Sequence, residues 1–89
     1  MINLITYDLK QPDRNYEALY ESIKQCGGTW WHYLDSIWLV KTDFTPSQCY
    51  DRIRPNIDDN DLLFIVEISG QKRQGWLPKD AWVWIKENE

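Results

Sequence analysis

Few residues in this chain carry chemistry, and their surroundings narrow what each can do. Asp8 stands near the end of an apolar run, Ile2–Leu9 (INLITYDL). A carboxylate there is costly to bury unless it is paired, protonated or beside a metal. Two readings follow. Asp8 either caps the next loop and meets solvent, or meets its own copy across a dimer axis, where two carboxylates and water would hold Mg²⁺ or Mn²⁺. His32 is the single histidine and the candidate general base near neutral pH. Its neighbours Trp30, Trp31 and Tyr33 favour a packed or half-exposed sheet position instead.

The other polar groups are weaker candidates for catalysis. Ser36 lacks a GxSxG setting, so it is not read as a nucleophile. Asp58-Asp59-Asn60-Asp61 has neither the spacing nor the glycine of a calcium loop and reads as a solvated turn. Cys26 and Cys49 fall on expected helices and read as small buried hydrophobes rather than a disulfide. With one His they make no zinc pattern. Arg52 and Arg54, with Lys72 and Arg73, form a small basic area that phosphate would favour. No glycine-rich phosphate loop is present.

The elements that must position these groups are legible in the pattern. Ile2–Leu9 is apolar on both alternating faces, as an inner strand is. Lys10–Arg14 holds Pro12 and Asp13, a turn and a helix cap. Tyr16, Leu19, Tyr20 and Ile23 make one stripe of a helix over Asn15–Cys26. Gly27 and Gly28 then end it in the left-handed conformation glycine favours. Thr29–Leu34 and Ile37–Thr42 read as two antiparallel strands joined at Asp35-Ser36. Thr45-Pro46-Ser47-Gln48 is a capping box opening a helix that Pro55 stops near Arg54. Asp61–Ser69 (DLLFIVEIS) reads as a second inner strand, followed by a polar loop, Gly70–Gly75. The tail Trp76–Glu89 reads as a helix opened by Pro78, with an edge strand as the alternative.

The order is β-α-β-β-α-β plus a tail. It predicts one α+β domain over residues 1–89, a ferredoxin-like sandwich with its core at 2–69 and a C-terminal extension. The first and fourth strands are expected side by side at the centre. Both helices are expected on one face, leaving the other free as a dimer surface.

Four features carry a family resemblance: Tyr7-Asp8-Leu9 closing the first strand, Gly27-Gly28 after the first helix, Ser36 at the bend in HYLDSIWLV, and Asp61 opening the last core strand. On these, residues 2–69 resemble the small CRISPR-associated adaptation protein family, the second Cas protein, in a divergent form. They are also similar to a bacterial and mobile-element group with the pattern YDL…P…NY…I…WWHYLDSIWLV…NDLL. The virulence-associated protein D toxins share the fold type. The resemblance implies a ferredoxin-like homodimer. It also implies a divalent-metal-dependent endonuclease, acting on RNA or DNA, in which Asp8 faces its dimer mate and Ser36 sits at the bend. Here His32-Tyr33-Leu34-Asp35 replaces the family's basic residue and its Gln before the serine.

Composition separates the partner classes. The 89 residues include six Trp, five Tyr and two Phe, generous for a domain so small that it buries only about 60–65% of its unfolded surface. Part of this set, Trp31 and Tyr33 foremost, is expected at a partner surface. The net charge of −4 argues against strong non-specific nucleic-acid binding. The expected function is therefore a dimeric, non-catalytic module that binds a protein or a nucleotide-containing partner and needs no cofactor. The alternative is the nuclease with Mg²⁺ or Mn²⁺. No apolar run is long enough for a membrane helix, and Met1–Lys10 reads as a strand rather than a signal peptide. A cytoplasmic location is the expectation.

Overall fold

The computed structural model describes residues 1–11 and 14–89. The turn and cap expected at Pro12 and Asp13 lie outside the described residues. Among the described residues, four strands and three helices follow one another: β1 (Ile2–Asp8), α1 (Glu17–Lys24), β2 (Thr29–Leu34), β3 (Ile37–Lys41), α2 (Pro46–Ile53), β4 (Leu62–Glu67) and α3 (Lys79–Asn88). A 3₁₀ turn, Arg54–Asn56, extends α2 through Pro55. The fold is α+β, and the four strands form one antiparallel sheet in the order β2-β3-β1-β4.

Local chemistry explains most boundaries. The Thr45 hydroxyl accepts from the Gln48 amide at 3.2 Å, and the Gln48 side chain accepts from the Thr45 amide at 2.9 Å. This reciprocal cap fixes the start of α2. The tail is helical, as its Pro78 start predicts. The end of α1 differs from expectation. Gly70 is the one described glycine with positive φ, so no left-handed glycine closes α1. Gly27 is required for another reason. A Cβ there would lie 1.9 Å from the Lys41 carbonyl oxygen, so only glycine lets the chain pass this close to β3. Cys26 sits in the turn after α1 rather than on it.

The expected placing of β4 at the centre of the sheet is overturned. The inner strands are β1 and β3, while β4 lies on the rim beside β1. Two-sided apolar patterning could not distinguish the two. β3 presents Trp38 and Val40 to one face and Leu39 to the other, and all three are buried. β4 has the same kind of pattern, yet only its Leu63 and Ile65 pack on the core.

The sheet carries two apolar layers. On one side α1 and α2 cover Ile5, Tyr7, Trp38 and Val40 with Leu19, Ile23, Cys49 and Ile53. On the other, α3 lays Ala81 and Ile85 on Ile2, Trp31 and Leu39. The second face is therefore not free, as expected, but partly roofed. Its uncovered part lies over β4, where Leu62, Phe64 and Val66 are 59%, 64% and 37% exposed. No helix among the described residues is long and apolar enough to cross a membrane.

Candidate functional site

The residues singled out from the sequence fall into separate places. Asp8 ends β1, exposed, with its carboxylate 2.6 Å from the Lys10 ammonium. Its partner is thus a neighbouring lysine, an arrangement that needs no metal. No group of three or more His, Cys, Asp or Glu residues among the described residues is placed to hold a metal ion. Ser36 is brought to the same end of the sheet, where its backbone carbonyl accepts from the Tyr7 amide at 3.3 Å.

His32 is held by ring packing and one hydrogen bond. Its ring stacks on Trp38 with centroids 3.9 Å apart and planes 6° from parallel. Nδ1 lies 3.0 Å from the Ile37 carbonyl oxygen, so Nδ1 carries the proton and donates. Among the described residues no carboxylate is hydrogen-bonded to the ring. Trp30 leans on the same Trp38, and the Lys24 ammonium lies 5.2 Å from the Trp30 ring centre.

Trp31 and Tyr33 lie on the opposite face of β2, as strand alternation predicts. Their ring centres are 5.0 Å apart. The Tyr33 hydroxyl donates to the Asp80 carboxylate of α3 at 3.2 Å. Arg52 and Arg54 belong to a different layer. Arg52 covers the Phe44 ring at 4.4 Å. Arg54 pairs with Asp59 and donates to the Ile57 carbonyl at 3.2 Å, while Arg73 pairs with Glu89 at 2.8 Å. These cations are engaged within the chain rather than gathered into one basic surface.

Asp61 is the polar residue the sequence reading misplaced. It is not solvated but buried. Its carboxylate accepts from the Lys10 amide at 2.8 Å, the Asp58 amide at 2.9 Å and the Tyr16 hydroxyl at 3.0 and 3.1 Å. Burial pushes its acidity down, but these donors outweigh burial and hold the carboxyl below its ordinary range. Burial, and then the bond to Asp61, raise the Tyr16 phenol. This knot ties the loop after β1 to the start of β4. A second buried knot lies under α2. The Asn3 amide donates to the Phe44 carbonyl at 3.0 Å and to Cys49 Sγ at 3.3 Å. Both cysteines are buried and form no disulfide in this structure. The hydrogen bond Cys26 makes to Cys49, then burial, push the Cys26 thiol up.

The unabsorbed feature is β4. Its exposed residues Leu62, Phe64 and Val66 form one unbroken row, with a shallow hollow lined by Thr6, Asp8, Leu62 and Phe64 at one end. The other edge strand, β2, is irregular between Trp31 and Leu34 and flanked by α3. No such interruption marks the register of β4 against β1. β4 also lacks proline and lysine, residues that ordinarily blunt an edge.

A scan against protein-family models finds no match, and a search of the curated proteins finds no relative.

Proposed function

We propose that the chain is a non-catalytic binding module that works as a homodimer joined along β4. One observation carries this reading: a strand patterned for burial on both faces lies on the rim with one face and its outer edge open. A straight, apolar, unguarded edge is a template for another strand. A second copy supplies one with the same pattern, and the symmetry closes.

The register follows from the chain's own ladder. The Ile68 amide donates to the Ile2 carbonyl at 3.0 Å. Antiparallel alternation along Leu4↔Val66 and Thr6↔Phe64 then turns the backbone groups of Leu63, Ile65 and Glu67 outward. A two-fold axis through Ile65 pairs Leu63 with the partner's Glu67 and lays Phe64 beside the partner's Val66. The two exposed apolar rows become one patch, and the sheet becomes eight-stranded. The aromatic surfaces away from this seam remain for a protein or a nucleotide-containing partner.

The strand order, with α1 and α2 on one face, supports a ferredoxin-like reading of the fold. With it goes the proposed kinship with the small CRISPR-associated adaptation proteins and the virulence-associated protein D toxins. The metal-dependent nuclease reading requires the two Asp8 carboxylates to converge. In the β4-paired dimer, strand spacing and rise put them about 25 Å apart. One Mg²⁺ or Mn²⁺ with oxygen bonds of about 2.0–2.6 Å does not span that gap.

Sedimentation equilibrium at micromolar concentration tests the proposal. The expected result is a dimer that Phe64→Glu converts to a folded monomer. A monomeric wild-type protein overturns it. Cleavage of RNA or DNA with Mg²⁺ or Mn²⁺, lost in Asp8→Asn, would establish the nuclease reading instead.

A further inference from the structure

A second site, away from the β4 seam, lies between the outer strand β2 and helix α3. Here a cleft of about 420 Å³ is walled by Trp31, Tyr33 and Trp84, with Asp80 and Glu87 among its lining residues. That volume falls in the range of small-molecule sites. Its chemistry is one-sided. Apart from His32, the titratable groups on its wall are two carboxylates and a phenol, and no lysine or arginine lines it. Neither carboxylate belongs to an ion pair among the described residues. Among the described residues, Asp80 accepts only the Tyr33 hydroxyl.

We propose that this cleft binds an organic ammonium ion. Aromatic faces attract a cation through the ring quadrupole, most strongly when the ion is weakly hydrated. The carboxylates of Asp80 and Glu87 add the matching charge, as an anion in this position would be repelled.

The experiment uses choline and its neutral carbon isostere, 3,3-dimethyl-1-butanol, titrated into the whole protein and followed by amide and indole nuclear magnetic resonance. Saturable shifts are expected for the indole signals of Trp31 and Trp84 with choline, and binding of the isostere about tenfold weaker or less, equivalent to about 1.4 kcal/mol. Asp80→Asn with Glu87→Gln keeps shape and removes both charges. It is expected to lower choline affinity by about the same factor while leaving the spectrum folded. Equal binding of the two ligands, or undiminished binding to the double variant, makes the cleft an apolar groove rather than a cation site and overturns the proposal. So does the absence of a saturable shift. The sedimentation experiment reads β4 and is unaffected by either outcome.

Discussion

The Tyr16 hydroxyl lies 3.0 and 3.1 Å from the two carboxylate oxygens of buried Asp61, and the Lys10 and Asp58 amides complete the set. Removing the carboxylate strands all three donors. Asp61→Ala should therefore cost about 2–3 kcal/mol, read as a lower urea midpoint at unchanged slope. Tyr16→Phe should shift the midpoint in the same direction by less.

The same group sets a pH dependence. The folded-state carboxyl of Asp61 is held below its ordinary range. The unfolded chain therefore takes up a proton first as pH falls. Its contribution is complete above the ordinary carboxyl range near pH 4 and disappears as pH drops through the lower folded-state value. Urea melts between about pH 6 and 2.5 should show a steeper acid loss in wild type than in Asp61→Asn. Parallel curves would remove Asp61 from this role.

Gly27 and Gly28 should respond differently to the same substitution. A Cβ at Gly27 meets the Lys41 carbonyl at 1.9 Å, whereas nothing lies within 4 Å of one at Gly28. Gly27→Ala must move backbone and should destabilise by about 1–3 kcal/mol or more. Gly28→Ala should melt near wild type. Thermal denaturation of the two variants checks this, and equal melting temperatures would contradict the close approach.

The β4 register can be trapped covalently. With the axis at Ile65, Phe64 stands opposite the partner's Val66 at a Cα separation of about 4.5 Å, inside the range a disulfide spans. The double variant Phe64→Cys, Val66→Cys should form a covalent dimer under mild oxidation. Phe64→Cys alone faces its copy two residues out of register, about 8 Å away, beyond a disulfide, and should stay uncrosslinked. Crosslinking by the single variant would place the axis elsewhere.

Cys26 and Cys49 are buried, and reactivity requires an exposed thiolate. Neither should be labelled by a thiol reagent in native buffer except at the rate of unfolding, and both should react at once in denaturant. Fast labelling of either in the folded state would show that this layer opens locally.

The order of the elements, the type of all but the tail, and their limits to within about two residues were written in the sequence. The capping box at Thr45 and Gln48, the stripe of Tyr16, Leu19 and Ile23, and the alternation through Trp31 and Tyr33 are short-range signals. Each depends on neighbours within a turn or a strand, and such signals survive in one dimension. The separation of Trp30 and His32 from Trp31 and Tyr33 followed from the same alternation.

What the tertiary structure alone decided depends on which segments meet. Asp61 reads as a turn residue until Tyr16, 45 positions away, closes over it. Gly27 reads as a helix stop until β3 passes beneath it. The apolar runs of β1 and β4 are alike in composition, and only the sheet order separates an inner strand from a rim. Trp31 gains its setting from α3, whose Asp80 and Glu87 are distant in sequence and adjacent in space. Side-chain pattern records how much surface a segment must bury, but the partner that buries it is chosen by chain topology and, for β4, by whatever covers its open edge.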